Sequence, residues 1–387
     1  MRDGNHNLKI SLKTLSGFEY KPEVKNKSGS KLTVMDDNGN ILHEGEFKSF
    51  TANFMRLLYG NMCGSGTVTA TDLNGDSSAI DGYPNVKMHF AGGSGKQKFG
   101  IGVGSGSTAV SNADNNLTWV AGLTYNNVVL GTPAIDGSTV RLDITREISN
   151  SSGSTKTLYE AGLICGAEDD VEDNILIARD LVSVELLNGK KSTWRYTITV
   201  DFDSTTGGFV RNFLDSLIIQ WTRATASASF PARRGHTSVV FNNKMWVIGG
   251  YGTANLNDVW YYGKQLDASA LITDDTRGIL VGSSDASFDE TDTALTTKIE
   301  HGTGAGQLEY GVMPYTADTV EPYINGSKTL MTLARRFENN SGSSVTIKEV
   351  GIVTASGTLL CRFVPSDPIV IENGASEIIT ITFESEV

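Results

Sequence analysis

The chain has 387 residues, of which 39% are hydrophobic, 42 are glycine and 8 are proline, and its formal net charge is −12. The length allows two or three domains, and the hydrophobic content excludes a disordered chain. The negative charge argues against a protein that binds the phosphate backbone of DNA or RNA.

The first ten residues, M-R-D-G-N-H-N-L-K-I, lack the apolar core of a secretory signal peptide. No stretch approaches the roughly 20 apolar residues of a transmembrane helix, so we expect no membrane insertion. The three cysteines, Cys63, Cys165 and Cys361, do not follow the spacing of a zinc site. Cys165 and Cys361 lie in apolar contexts. We expect both to be small buried core residues rather than a disulfide, which suits assembly in a reducing cytoplasm.

Residues 1–45 are predicted to form an N-terminal β arm or hairpin. Residues 8–12 alternate apolar and polar side chains, as a half-buried strand does. Further on, the apolar runs at residues 31–34 and 41–42 flank Asn38-Gly39. Asn-Gly between two such runs predicts a tight hairpin, because both central residues of a type I′ turn need positive φ.

An amphipathic helix is predicted over residues 46–59, where apolar side chains recur at three- and four-residue steps. Its apolar stripe consists of Phe47, Phe50, Phe54, Leu57 and Leu58. Ser49 is a candidate N-terminal cap, and Gly60-Asn61 is predicted to end the helix. A second helix is predicted over about residues 208–221, with a stripe of Phe209, Phe213, Leu214, Leu217 and Ile218. We expect each helix to close one open face or end of the β structure that follows it.

Two glycine-rich segments, G-I-G-V-G at residues 100–104 and G-I-L-V-G at residues 278–282, are predicted to be strands. The first has the alternating glycines of a dinucleotide-binding loop. That motif requires an amphipathic helix directly after it, whereas turn residues follow here. We therefore interpret this segment as a strand and not as a nucleotide-binding loop.

Three pairs of alternating segments surround turn sequences, and each pair is predicted to form a hairpin. The pairs are 141–148 with 155–163 around N-S-S-G, 184–187 with 194–200 around Asn188-Gly189, and 369–371 with 378–383 around Asn373-Gly374. Short strands at roughly ten-residue spacing favour an antiparallel β-sandwich or a small jelly roll.

Three blocks recur in the same order, which predicts an internal duplication. R-E-I-S-N-S-S-G-S-T-K-T-L-Y-E-A-G-L-I at 146–164 aligns without a gap with R-R-F-E-N-N-S-G-S-S-V-T-I-K-E-V-G-I-V at 335–353. The other two blocks are the helix segments and the glycine-rich segments. We therefore predict a mostly β fold with two duplicated antiparallel β-sandwich modules, Ig-like or jelly-roll-like, each preceded by a short amphipathic helix. The predicted domains are the arm at 1–45, repeat 1 at 46–206 and repeat 2 at 207–387.

Repeat 2 carries an insert at about residues 230–264 that resembles one kelch repeat. The resemblance rests on R-R-G-H at 233–236, V-I-G-G-Y at 247–251 and N-D-V-W-Y-Y at 257–262. Kelch repeats form four-stranded propeller blades, and a propeller needs about four to eight of them. We expect the single blade to dock on its own module or on a neighbouring subunit. Its aromatic residues either pack locally or form an exposed surface for a partner or a glycan. The candidate contacts are Trp246, Tyr251, Trp260, Tyr261 and Tyr262.

The sequence has none of the residue patterns typical of an active site. Its five histidines are scattered, and H-E-x-x-H, C-x-x-C, G-x-S-x-G and P-loop motifs do not occur. We therefore predict no enzyme, no catalytic residues, no cofactor and no metal site. Glu160 and Glu349 stand at matching positions before a glycine, and Arg146 aligns with Arg335. We expect these residues to make a structural contact between strands in each module.

The order of F-x-x-N-F, I-x-V-G, N-S-G turn, E-x-G strand and closing N-G turn is similar to that in virion proteins of tailed bacteriophages, over about residues 46–387. This resemblance implies a non-enzymatic building block that is present in multiple copies and bound through symmetric interfaces. It also implies a location in the virion after assembly in the host cytoplasm. The implied partners are other virion proteins and copies of the chain itself, with a host-surface glycan as a further candidate and no nucleic acid.

The leading hypothesis is a structural component of the tail, neck or baseplate of the virion. An alternative in the same class is a capsid decoration protein or head fibre. An alternative from a different class is a carbohydrate-binding module that displays the aromatic residues of the kelch-like insert.

Overall fold

The computed structural model describes residues 8–15, 19–20, 30–46, 50–63, 69–79, 90, 92–131, 134–136, 139–166, 174–201, 207–209, 213, 237–241, 244–251, 255–263, 266–289 and 291–386. Within these ranges the chain forms twenty-six β-strands and one α-helix. The predicted mostly β fold class is therefore confirmed.

Up to residue 209 the elements follow in this order: β1 (Leu8–Thr14), β2 (Glu19–Tyr20), β3 (Lys31–Asp36), β4 (Ile41–Glu46), α1 (Ala52–Cys63), β5 (Thr69–Thr71), β6 (Ser77–Ala79), β7 (Gly100–Gly104), β8 (Leu123–Leu130), β9 (Ala134–Asp136), β10 (Thr139–Asn150), β11 (Lys156–Cys165), β12 (Ile175–Leu186), β13 (Lys191–Asp201) and β14 (Gly207–Phe209).

The remaining strands are β15 (Thr237–Phe241), β16 (Lys244–Tyr251), β17 (Asn255–Gly263), β18 (Gly278–Gly282), β19 (Glu309–Tyr310), β20 (Val320–Asn325), β21 (Lys328–Glu338), β22 (Val345–Ile347), β23 (Glu349–Val353), β24 (Leu359–Phe363), β25 (Ile369–Ile371) and β26 (Ser376–Glu386).

These strands form four larger sheets, a kelch sheet and two small ribbons. Sheet 1 has the order β4-β3-β13-β10-β8, with β9 also paired to β10, and sheet 2 has the order β12-β11-β7. Sheet 3 has the order β19-β21-β26-β1-β2, with β20 also paired to β21, and sheet 4 has the order β14-β24-β23-β18. The kelch sheet is β15-β16-β17, and the ribbons are β22-β25 and β5-β6.

The two N-terminal hairpins belong to two different sheets. β1 pairs antiparallel with the C-terminal strand β26 over seven residues, from Leu8 opposite Ser385 to Thr14 opposite Ile379. β3 pairs with β13 in sheet 1, and β4 forms the outer strand of that sheet. The hairpin predicted at Asn38-Gly39 is confirmed between β3 and β4.

The three other predicted hairpins are wrong, because each turn leads from one sheet to another. β10 lies in sheet 1 and β11 in sheet 2, and the next turn returns the chain from β12 in sheet 2 to β13 in sheet 1. The turn after β25 likewise leads out of a ribbon into sheet 3. Alternation fixes which face of a strand is buried, but it does not choose the neighbouring strand.

These connections between sheets are held together in pairs by a buried asparagine. The Asn150 side-chain nitrogen donates to the carbonyl oxygens of Ser154 at 2.8 Å and Leu186 at 2.7 Å. The Asn339 side chain does the same with Ser343 at 2.8 Å and Ile371 at 2.7 Å. Each asparagine thus joins its own turn to the last residue of another strand, which is β12 for Asn150 and β25 for Asn339.

The first predicted helix begins too early in the chain. Phe50 forms a bridge with Ala178, and the Thr51 backbone nitrogen donates to the carbonyl oxygen of Ile177 at 2.8 Å. These contacts with β12 keep the backbone extended, so α1 begins only at Ala52.

The helix also continues past its predicted end. α1 passes through Gly60 to Cys63, and the Asn61 side-chain nitrogen donates to the carbonyl oxygen of Leu57, one turn earlier, at 2.8 Å. The second predicted helix is wrong at its start, because Gly207–Phe209 is strand β14, paired with β24. Its residues 210–212 and 214–221 lie outside the described residues.

Helix α1 packs against β5 and β12, and also against β20 and β21. A single apolar cluster therefore includes α1 together with strands of all four large sheets. Cys165 and Cys361 are buried in this cluster, as predicted. Burial raises the pKa of the Cys361 thiol to about 12, so the thiol is protonated at neutral pH and unreactive.

We predict that Asn339→Ala lowers the free energy of unfolding by about 2–4 kcal/mol, because two buried carbonyl groups lose their donor. Urea unfolding of the purified chain measures this change. The matched control is Asn340→Ala at the exposed neighbouring position, which should change the free energy by less than about 1 kcal/mol. Equal effects of the two substitutions would contradict this role of Asn339.

Candidate functional site

A buried arginine joins sheet 1 to sheet 2. The guanidinium group of Arg146, on β10, donates to five backbone carbonyl oxygens at 2.6–3.0 Å, those of Gly93, Lys96, Phe99, Ile101 and Asn126. Ile101 belongs to β7 of sheet 2, whereas Arg146 belongs to sheet 1. The side chain therefore fixes the spacing of the two sheets and the course of the loop that precedes β7.

Sheets 3 and 4 are joined in the same way by Arg335, on β21. Its guanidinium group also donates to five carbonyl oxygens, those of Leu271, Asp274, Arg277, Ile279 and Gly311. Ile279 belongs to β18 of sheet 4. The two arginines thus bond equivalent strands and equivalent loops.

Each guanidinium group lies against a buried tyrosine ring. The centre of the guanidinium is 4.9 Å from the ring centroid of Tyr125 for Arg146 and 4.8 Å from that of Tyr310 for Arg335. Burial lowers the pKa of both arginines to about 10, which leaves them charged at neutral pH. Burial also raises the pKa of Tyr125 to about 12, so its ring faces the cation as a neutral phenol.

A second pair of buried networks contains the predicted glutamates. Glu160 on β11 accepts a hydrogen bond from Arg179 on β12 at 2.6 Å, and Arg179 also contacts Asp114 at 2.9 Å. The Glu160 carboxylate further accepts hydrogen bonds from the backbone nitrogens of Gly106 and Thr118. The predicted contact between strands is confirmed here.

The corresponding carboxylate, Glu349 on β23, bonds Arg362 on β24 at 2.9 Å. Arg362 also contacts Asp292 at 2.9 Å. Two backbone nitrogens, those of Thr296 and Thr297, donate to the two carboxylate oxygens of Glu349 at 3.0 and 2.7 Å. Both glutamates are therefore fully engaged in holding the protein together.

Each of these carboxylates requires a glycine beside it. A Cβ atom on Gly104 would overlap the carboxylate of Glu160, and a Cβ atom on Gly282 would overlap that of Glu349. The final glycine of each glycine-rich segment is thus explained by close packing against a carboxylate rather than by a phosphate.

Sequence reasoning missed the arginine partners of the two glutamates. Arg362 lies within an otherwise apolar strand, and Arg179 directly follows the apolar run at residues 175–178 of β12. An arginine in such a setting is a signal of a buried ion pair. Their separations from Glu160 and Glu349 differ, so an alignment without gaps does not bring the two arginines together.

The candidate contact residues of the insert lie on two neighbouring strands of the kelch sheet. In the register of β16 with β17, Trp246 lies opposite Tyr261, and Val247 lies opposite Trp260. Tyr262 follows on β17, and Tyr251 is the last residue of β16. The backbone register thus brings all five candidates into one antiparallel pair of strands.

Comparison with known proteins supports this part of the sequence analysis. Residues 232–262 match the family model of the Kelch motif, which confirms the predicted resemblance. The match covers less than a tenth of the chain's 387 residues. No curated protein and no solved structure matches the chain.

Within the described ranges, no group of three or more His, Cys, Asp or Glu side chains could hold a metal ion. The described part of the chain also contains no helix with the length and apolar character needed to cross a membrane. Asp36 and Asp72 each accept hydrogen bonds from nearby backbone nitrogens within a turn.

We predict that Arg335→Lys lowers the free energy of unfolding by about 2–5 kcal/mol, because one ammonium group cannot donate to five buried carbonyl oxygens. Urea unfolding tests this prediction, with Arg336→Lys as the control on the same strand. Arg336 is exposed, and its replacement should change the free energy by less than about 0.5 kcal/mol. A variant as stable as the control would disprove the role assigned to Arg335.

Proposed function

We propose that the chain is a non-enzymatic structural component of a tailed-phage virion, located in the tail, neck or baseplate and present in several copies. In this proposal the chain consists of two duplicated β-sandwich modules. Module 1 contains sheets 1 and 2, and module 2 contains sheets 3 and 4. The kelch sheet is an insert in module 2, between β14 and β18.

The observation that carries this proposal is the matched pair of buried networks. Arg146 and Arg335 each engage five carbonyl oxygens in corresponding loops and strands. Glu160 and Glu349 each bind one arginine and two backbone nitrogens. The same interior contacts occur in both halves of the chain, which supports a duplication. The residues that make these contacts determine the shape of the frame.

The chemistry of these networks supports a frame rather than a catalyst. A catalytic carboxylate has to reach a substrate, whereas the side chains of Glu160 and Glu349 are at most 1% exposed. Both already accept hydrogen bonds from an arginine and from backbone nitrogens. A buried ion pair adds little net stability compared with apolar packing, but it penalises every arrangement that leaves a charge without its partner. Such a frame keeps one shape, which a repeated building block requires.

The kelch insert is the segment proposed to contact a neighbouring subunit or the host. It leaves module 2 after β14 and returns to it before β18, so both of its ends are attached to the same module. Interfaces are enriched in Trp and Tyr, and five such residues lie on β16 and β17. A capsid decoration protein or head fibre would use the same construction at another place on the particle.

We expect an antibody against the chain to label purified virions at one defined position in immunogold electron microscopy. The particles are taken from the host that produces the chain and are purified on a density gradient. Labelling of the tail, neck or baseplate is the expected result, and labelling of the capsid would select the decoration protein instead. Absence of the chain from gradient-purified particles by mass spectrometry would overturn the virion assignment.

The kelch match favours one second candidate, a carbohydrate-binding module. Stacking of sugar rings on aromatic side chains would then involve Trp246, Tyr251, Trp260, Tyr261 and Tyr262.

A glycan array separates this candidate from the structural one. A sugar-binding module retains a defined glycan, and Trp260→Ala lowers that retention by roughly ten-fold or more, as expected for loss of a contact worth at least 1.4 kcal/mol. The control is Tyr159→Ala, a half-exposed position in module 1, which leaves retention unchanged. A chain that binds no glycan on the array would sink this second candidate.

A further inference from the structure

One edge of sheet 3 carries an unusual concentration of exposed apolar side chains. Of the fourteen large apolar residues that are exposed in the described part of the chain, six lie along this edge, and they are 41–70% exposed. We call them the apolar edge, which consists of Leu271, Ile272, Val312, Val320, Tyr323 and Ile324.

Backbone pairing shows that these residues follow a single strand, β21, along its outer side. β19 pairs with the end of β21, and the backbone N–H of the next residue, Gly311, donates to the carbonyl oxygen of Arg336 at 2.8 Å. β20 then pairs with the beginning of β21. Leu271 is attached beside this edge, because its neighbour Ala270 forms a bridge with Met313.

The corresponding loop of sheets 1 and 2 supplies an internal comparison. The backbone N–H of Gly95 donates to the carbonyl oxygen of Tyr125 at 2.8 Å, and that of Thr273 donates to the carbonyl oxygen of Tyr310 at 2.9 Å. Arg146 bonds the carbonyl oxygen of Gly93 in the first loop, as Arg335 bonds that of Leu271 in the second. Gly93-Ser94-Gly95 thus occupies the positions of Leu271-Ile272-Thr273.

The fold therefore forms this loop without large apolar side chains. Gly95 has a φ of +78°, and Thr273 has a φ of +72°. A β-branched residue in this left-handed region is strained, whereas glycine is not. The loop before β18 keeps a strained threonine and two exposed aliphatic side chains where Gly-Ser-Gly suffices, and such a feature points to a role outside folding.

We infer that the apolar edge is the surface through which the chain binds a second copy of itself. The inference deepens the proposed function and rests on it, because that function requires several copies in one assembly. A two-fold axis brings the apolar edge of one copy against the same edge of the other copy, so the same residues form both sides of the interface.

The size and charge of the apolar edge fit this partner. Six side chains with this exposure amount to apolar surface on the order of 500 Å². Two such surfaces bury about 1,000 Å², which lies at the lower limit of specific interfaces. The chain carries a net charge of −12, so other faces of two copies repel each other. Glu321 is the one charged residue of β20.

The test is analytical ultracentrifugation of the full chain over a range of concentrations and salt. We expect a dimer with a dissociation constant on the order of 10–100 µM, and tighter association at high salt because the repulsion between the copies is screened. The loop variant, Leu271→Gly with Ile272→Ser and Thr273→Gly, carries the Gly-Ser-Gly sequence of the first loop. It should weaken the dimer by roughly ten-fold or more, and so should Tyr323→Ala.

Two controls keep the outcome interpretable. Val129→Ser removes an exposed apolar side chain from β8, at the edge of sheet 1, and should leave the dimer unchanged. Thermal unfolding should find the loop variant folded, with a Tm close to that of the natural chain, because relief of the strain at Thr273 offsets the freedom that two new glycines give the unfolded chain.

A natural chain that dimerises equally well with and without the substitutions in the apolar edge would overturn the inference and leave the proposed function intact. A natural chain that stays monomeric at concentrations well above the expected range, at every salt concentration, would also overturn it. Absence of the chain from virions, measured separately, would overturn the proposed function instead.

Discussion

The fold depends on two guanidinium groups, those of Arg146 and Arg335, that are buried away from water. A buried arginine is tolerated only when its N–H groups find acceptors, and both Arg146 and Arg335 find them in five backbone carbonyl groups. These carbonyl groups belong to one strand of the facing sheet, to loops that have no regular structure of their own and, for Arg146, to the neighbouring strand β8. A single side chain thus sets the distance between two sheets and the shape of the loops beside them. The tyrosine ring against each guanidinium completes a site that accepts only a planar cation.

Other parts of the fold also supply hydrogen-bond partners for buried polar groups. Glu160 and Glu349 fix a loop through two backbone nitrogens each, and the adjoining glycines, Gly104 and Gly282, leave room for the carboxylates. Asn150 and Asn339 connect the turns at the ends of the sheets. Removal of one partner from such a network leaves a desolvated group behind. The frame is therefore cooperative, and this property suits a protein that has to keep its shape in an assembly.

Sequence reasoning identified the strands well and their neighbours poorly. Alternation located β10, β11 and β13 but only the end of β12, because one face of each of these segments is buried. It also suggested that consecutive strands pair, which holds at Asn38-Gly39 and fails at Asn188-Gly189, where the chain changes sheets. The start of α1 was misplaced because tertiary contacts of Phe50 and Thr51 with β12 override the local helical pattern. The kelch motif was found correctly because its glycine and tryptophan spacing is specific, whereas the apolar edge required knowledge of burial.

The proposed role of this frame, with its two proposed duplicated modules, is that of a repeated part of a virion. Its most direct test is the copy number of the chain per particle, measured by mass spectrometry with isotope-labelled peptides of this chain and of the major capsid protein. We expect several copies per particle, at a constant ratio to the capsid protein from one preparation to the next. Fewer than one copy per particle, or a ratio that varies with the purity of the preparation, would contradict it.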